Sequence, residues 1–563
     1  MQDFFTDPKF EGAFVTAASR AVIDEYIQKE IMNHEAIIRY YKKCHNALTF
    51  TCRLPHEILG TIFEEVAIVR EAWQNYGRWG EEYRKWREFD WIKSVSHVCS
   101  HWRAVALSNP NLWSSIRLMN TAWMPEMIQR SKTAPLTITL WGALMLQDPA
   151  GSYIALKDVI RSDLPRIRGL TLGLVPVWVS PERHELFLDN EKKQRLNMFS
   201  ELIPLLNQPA PMLESLEINL AEAEASQQLP SGFVAGLSQL KHLRLEGWCL
   251  DWKLSAFENL RSLAISRLSA DSKPTVNELL NMLTRTPLLE SLTIVDPDVL
   301  RSTSSLQDIA SVCLEHLKHI DISYSLSDCA FIFDHIVFSA QATTIIIRLP
   351  GLSVGDAYLS DHSALSAIGT LARRLDVGVK GPVYELKIDK KIQCRKLNTT
   401  QQPFVIDVHG LRGYDLPSAL KEVFWQSLHL DKITYLEISK KAVLTIDQWA
   451  FFGALPHLGS LRVHCNELVL MSMLEQGTAI KPDTVAFFIS LKSLTLIRWN
   501  LHLVDGGEKE LGERMLTCFD CRRKAGFHSL QRLVMEGYAG KCDPKKFADE
   551  LRRDVEFVDV IFK

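Results

Sequence analysis

Four stretches of this chain hold residues whose types and spacing could do chemistry. In SHVCSHWRAVA (96–106), His97 and His101 are four apart, one face of a helix, with Cys99 close by. That is how helical zinc sites are built. The pair lacks the glutamate that a hydrolytic HExxH site sets after its first histidine; Val98 stands there, and Arg103 would repel a dication. CFDC (518–521) is a better zinc fragment, with His528 and Cys542 as further ligands. Structural zinc sites usually show two tight ligand pairs, and here the second is scattered, so reduced cysteines on an amphipathic segment are the plainer account. GLSVG (351–355) has the form of a nucleophile elbow with Ser353 at its centre. An elbow needs a sharp turn on a parallel sheet, with Asp and His supplied later by that fold.

The fourth stretch is aromatic and basic. Trp73, Tyr76, Trp79, Tyr83 and Trp86 recur at three- and four-residue spacing, interleaved with Arg78, Arg84, Lys85 and Arg87. Such a stripe can stack on single-stranded nucleic acid. It suits burial against the protein at least as well, and neighbouring acids offset its charge, so no nucleic-acid partner is expected. The sequence has neither a Walker A string nor a Gly-rich dinucleotide fingerprint, and no cofactor is expected.

The bulk properties narrow the class. With 563 residues, 47% of them hydrophobic, the chain can bury one large core or several. Its 64 basic and 67 acidic residues leave a net charge of −3, which argues against a dominant polyanionic partner. The 11 cysteines lack the dense spacing of a secreted disulfide scaffold. The opening MQDFFTDPKFEG lacks the basic segment and apolar run of a secretory signal. No apolar run has the length of a membrane span; TTIIIRLPGL (343–352) is short and holds Arg348. A soluble, reduced, intracellular protein is expected, cytoplasmic or nuclear, with no membrane association.

Several elements are legible. Residues 18–48 read as a helix whose Ile23, Ile27, Ile31, Ile38, Tyr41 and Leu48 form a stripe, interrupted by His34. The stripe could seed a coiled coil or pack on its own protein. RLPHEILGTIFEEVAIV (53–69) predicts a helix opened by Pro55, with Ile58, Leu59, Ile62, Phe63 and Val66 on one face. A second helix is predicted through Val95, Val98, Cys99, Trp102, Val105 and Ala106, ending at Asn109-Pro110. Leu112, Trp113 and Ile116 follow on a short turn. A unit this small cannot cover all its apolar surface by itself, so part of that face should meet another chain.

From residue 164 a repeat takes over. IRGLTL (167–172), LESLEI (213–218), LKHLRL (240–245), LRSLAI (260–265), LESLTI (289–294) and LKHIDI (317–322) recur, followed later by ITYLEI (433–438), LGSLRV (458–463), LKSLTL (491–496) and LQRLVM (530–535). Starts from 213 to 317 are spaced by 27, 20, 29 and 28 residues, the range of leucine-rich repeats. Each string predicts a short strand whose last two apolar residues point inward while the residue between them points out. Helices are predicted at 274–287 and 417–428. One strand and one helix cannot close a core, so the repeats should stack as a solenoid. They are irregular: the loop Asn or Cys is mostly absent, Asn466 being the clearest match, and the pattern fades between 323 and 432.

Together, 54–116 and the repeats resemble F-box proteins, specifically the large fungal type with an N-terminal helix and leucine-rich repeats. The resemblance rests on Leu54-Pro55-x-Glu57-Ile58-Leu59-x-x-Ile62-Phe63, then Val98-Cys99-x-x-Trp102-Arg103, then Leu112-Trp113-x-x-Ile116, with RSKTAPLTITL (130–140) following. An insertion near 70–91 departs from the pattern. The resemblance implies an α/β fold: N-terminal helices with a three-helix F-box, then an irregular leucine-rich-repeat solenoid. The expected divisions are an amphipathic helix (1–50), the box with its insertion (51–118), a connecting segment (119–163) and the solenoid (164–563).

It also implies a role without bond-making chemistry. The box would dock a Skp adaptor, and through it a cullin-RING ubiquitin ligase, while the solenoid holds a protein substrate. By match to the motif, docking falls to Leu54, Pro55, Ile58, Leu59, Val98, Cys99, Trp102 and Trp113. Substrate contacts are expected at the outward strand residues Glu217, Arg244, Thr293, Asp321, Glu437, Arg462 and Thr495. A repeat scaffold that no longer docks a ligase is the alternative, and a serine hydrolase acting through Ser353 a further one.

Overall fold

The computed structural model describes residues 17–562 except 77–89, 118–122, 142–148, 175–200, 221–226, 230–235, 250, 253–256, 269–272, 296–309, 339–343, 350–361, 379–382, 390, 398–402, 411–417, 441, 443, 465–466, 476–486, 501–510, 525–529 and 539–543. Trp79, Tyr83 and Trp86 of the insertion, Asn466, Ser353 with its GLSVG frame, His528 and Cys542 lie outside the described residues. The chain divides into two compact units, Met1–Thr139 and Leu140–Lys563. Among the described residues no helix is long and apolar enough to cross a membrane.

The first unit begins with α1 (Ala17–Ala47), a helix of 31 residues. A short 3-10 turn, Thr51–Arg53, leads into α2 (His56–Tyr76). Leu54 is extended, and the Pro55 carbonyl accepts the first helical bond from the Leu59 amide at 3.0 Å, so α2 starts where Pro55 allows it. The single helix predicted from Val95 to Ala106 is two helices, α3 (Asp90–Ser96) and α4 (Ser100–Ser108), separated by a bend at His97 and Val98. The cause is local. Cys99 adopts an extended conformation, and its sulfur accepts the Trp102 amide at 3.5 Å, capping α4. Pro110–Trp113 forms a 3-10 turn, then β1 (Ser115–Arg117) pairs in parallel with β2 (Leu136–Trp141), on either side of α5 (Met124–Ser131).

The second unit is mixed α/β, built on a large parallel-rich sheet. The sheet runs through β3 (Ile167–Leu174), β4 (Ser215–Leu220), β5 (His242–Glu246), β6 (Ser262–Ser266), β7 (Ser291–Val295), β8 (His319–Ser323) and β9 (Thr344–Leu349). Each is parallel to the one before. Where the repeat spelling fades, the order changes. β10 (Val383–Ile388), β11 (Ile392–Leu397) and β12 (Pro403–Gly410) form an antiparallel meander in which β12, not β10, lies beside β9. β10 then receives β13 (Tyr435–Ile438) in parallel, and β14 (Ser460–His464), β15 (Ser493–Asn500), β16 (Arg532–Tyr538) and β17 (Phe557–Phe562) follow in order. Two hairpin turns explain the reversal: an even number of reversals restores the parallel direction.

The repeated apolar residues form the core. Leu216, Leu243, Leu263, Leu292 and Ile320 align across neighbouring strands, as do Ile218, Leu245, Ile265, Ile294 and Ile322, and all are buried. The same two rows continue through Ile345 and Ile347, Ile406 and Val408, then Leu436 and Ile438. Each such side chain contributes about 1.5–3 kcal/mol of transfer free energy. Helices cover this face, among them α6 (Val276–Thr284) and α7 (Ile446–Gly453). Both start with a capping box: Thr275 with Glu278, and Thr445 with Gln448.

Candidate functional site

Two surfaces hold the residues singled out from the sequence. The first is built on α2 and α4. The inner side of α2 sets Leu59 and Phe63 in the core, each 1% exposed. The outer side leaves Ile58 50% and Ile62 42% exposed. Val98, on the bend before α4, is 55% exposed. Between the two helices the Trp102 ring lies 5.0 Å from that of Phe63, and the thiols of Cys52 and Cys99 touch at 3.7 Å. Glu64 accepts hydrogen bonds from Asn109 (2.8 Å) and Asn111 (3.3 Å), tying α2 to the turn that ends α4. Gly60 permits that approach, since a Cβ there would lie 3.0 Å from the Asn109 amide nitrogen.

The eight residues matched to the box motif therefore divide. Pro55, Ile58 and Val98 are exposed; Leu54, Cys99 and Trp102 are half-buried; Leu59 and Trp113 are buried. The Trp113 indole donates to the Ala106 carbonyl at 2.9 Å, and the Arg130 guanidinium sits 4.7 Å over its ring. Ile62 belongs to the exposed strip although it was not among the eight; its spacing of four from Ile58 is the signal that would have found it. His97 stands on the bend rather than on α4, so it does not share a helical face with His101, whose ring instead packs 5.0 Å from that of His56.

The second surface is the face of the sheet opposite the buried apolar rows. All seven outward residues chosen from the sequence fall in one lateral row. Across adjacent strands Glu217 pairs with Arg244, then Ala264, Thr293 and Asp321. The row continues through Ile346, Asp407, Gln393 and Lys387 to Glu437, Arg462 and Thr495. Asp407, Gln393 and Lys387 were missed because their strands lack the repeat spelling and offered no position to read as outward.

The middle of this row is densely charged. Asp321, 6% exposed, takes two hydrogen bonds of 2.7 Å from Arg348. Lys391 reaches Asp407 at 2.5 Å, and Arg395 reaches Glu385 at 2.9 Å. Glu437 accepts from the Tyr435 hydroxyl at 2.9 Å and faces Lys387 at 3.1 Å, with Arg462 and His464 each at 3.8 Å. Burial pushes the Glu437 carboxyl up, but the bonds from Lys387 and Tyr435 and the charges of Lys387 and Arg462 outweigh it, leaving it below its ordinary range. Burial, then Arg462, holds the His464 imidazole below its ordinary value against the pull of Glu437. Near the sheet's start, burial raises Glu217 despite Arg244 at 3.3 Å.

The CFDC stretch lies on a helix, Leu511–Lys524. Burial pushes the Cys518 thiol up to about 12, which disfavours the thiolate a metal needs. Asp520 is instead engaged with Arg523 and Lys524. Compared with known proteins, the chain matches no family model and no curated protein.

Proposed function

We propose that the chain is a non-catalytic substrate receptor of an SCF-type ubiquitin ligase. In this reading the first unit is an F-box that docks a Skp adaptor and through it a cullin-RING ligase. The second is an irregular leucine-rich-repeat solenoid that presents a protein substrate. The observation that carries the proposal is the exposed apolar strip of Ile58 and Ile62 on α2 and Val98 on the bend before α4, backed by the buried Leu59, Phe63 and Trp113. A solvent-facing strip of this kind, on a unit with so little core, is what a protein partner would cover.

The row from Glu217 to Thr495 supports the second half. It is a continuous, ordered surface of mixed charge, suited to a folded protein or peptide rather than to a polyanion. The buried and half-buried sites of Leu54, Leu59, Cys99, Trp102 and Trp113 also fit a second reading, a repeat scaffold whose box survives as structure alone. Affinity capture of tagged protein separates them. Recovery of a Skp adaptor and a cullin, lost in Leu54→Ala/Pro55→Ala, supports the ligase receptor; a cell extract yielding neither leaves the scaffold.

A further inference from the structure

The helix α1 raises a separate question. Among the described residues several of its large apolar side chains face solvent: Ile27 is 38% exposed, Ile31 46%, Ile38 52% and Tyr41 67%. A helix of 31 residues draws most of its stability from packing an apolar face, so this face calls for a partner.

We propose that the partner is a second copy of the same helix, running antiparallel. The seam follows a 3-4 alternation through Ile27, Ile31, His34, Ile38, Tyr41 and His45, the a and d positions of a heptad. Its charges are segregated along its length. The first part, to Glu35, holds Asp24, Glu25, Glu30 and Glu35 against Arg20 and Lys29, whereas the remainder holds Arg39, Lys42 and Lys43 with no carboxylate. The helix macrodipole acts only over the first and last turns, so it does not account for Glu30, Glu35 or Arg39.

Segregation of this kind opposes a parallel pair, in which acid would lie beside acid and base beside base. It favours the antiparallel one, in which the acidic half of each helix meets the basic half of the other. Antiparallel overlap of the seam from Ile27 to His45 then sets Ile31 against Tyr41, Ile27 against His45 and His34 against Ile38, so each imidazole faces an isoleucine. Two like-charge approaches remain: Glu35 beside its copy is relieved by Arg39, paired with Glu35 at 3.2 Å on the same helix, and Lys29 across from Lys43 lies at heptad position f, away from the seam. The pairing does not depend on whether the adjacent α2–α4 surface docks an adaptor.

Light scattering on the eluting full-length chain tests it. The expected mass at micromolar concentration is twice 64.1 kDa, falling to that of one chain in Ile31→Glu/Ile38→Glu. A wild-type chain that elutes as a monomer, or a double variant that stays dimeric, overturns the proposal. Orientation is read by mild oxidation of Glu30→Cys, which uses the exposed native Cys44. The antiparallel register brings position 30 beside Cys44 of the other copy, so peptide mapping should find a 30–44 cross-link. Cross-links of 30 to 30 or 44 to 44 overturn the antiparallel arrangement.

Discussion

At the scale of single residues, the motif does not separate contact from support, and burial does. Ile58 and Val98 face solvent, whereas Trp113 is 1% exposed and hydrogen-bonded to the Ala106 carbonyl. Ile58→Asp/Val98→Asp should therefore leave stability within about 0.5 kcal/mol, as surface substitutions do. The same pair should weaken adaptor binding more than ~10-fold, since a buried interface anchor is worth ~2 kcal/mol or more. Trp113→Ala should instead cost about 3–5 kcal/mol of folding stability. Denaturant titration and a binding isotherm on both variants check the division; a destabilised surface pair would contradict it. The pH response belongs to this scale too. The His464 imidazole is depressed below 6.5 in the fold, so the unfolded chain takes up its proton first and stability is lost as pH falls below about 6.5. Glu437, depressed below 4.5, adds a second loss as pH falls further, through its own folded value. Thermal unfolding across pH should show His464→Gln removing part of the first decline while leaving the second; an unchanged first decline would contradict the assignment. The pH response was not legible from sequence, because Lys387, Arg462 and His464 reach Glu437 from separate strands, β10 and β14.

At the scale of elements, the sequence carries most where a side chain acts on its own neighbours. The strands spelled L-x-x-L-x-L are legible because two apolar residues at alternate positions have one inward solution on a half-buried sheet. Their outward residues fall into register for the same reason, which is why Glu217, Arg244 and Thr293 align. The capping boxes are equally local. Thr275→Ala and Thr445→Ala should each cost about 1 kcal/mol, measured by denaturant unfolding, because each removes an oxygen that accepts an otherwise orphaned amide. A cost near zero would mean the first turns of α6 and α7 are held by packing alone. The antiparallel meander was not legible. IQCRKL in β11 lacks the repeat spelling and breaks its own alternation at Lys396, which is buried on the inward side after Ile392 and Cys394, so its place is fixed by hairpins rather than by pattern. The bend at His97 and Val98 was hidden for a different reason: apolar spacing fits one continuous helix, and only the cap supplied by Cys99 divides it.

At the scale of the molecule, two units carry two kinds of surface. One is a small, mainly helical unit with a solvent-exposed apolar strip; the other is a sheet whose face carries ion pairs, Asp321 with Arg348, Asp407 with Lys391 and Glu385 with Arg395 among them. Most of those charges are paired within the sheet, although among the described residues Asp407 Oδ1 and Arg462 Nε have no hydrogen-bond partner, so a ligand there has to exchange most pairs, which favours selectivity over raw affinity. The central claim is that the first unit docks a Skp adaptor, and binding of purified full-length chain to a purified adaptor tests it most directly. The expected result is a saturable one-to-one complex, formed by the wild-type chain and lost in Ile58→Asp/Val98→Asp while that variant unfolds like the wild type. A folded wild-type chain that shows no binding, or a double variant that binds as tightly as the wild type, would contradict it.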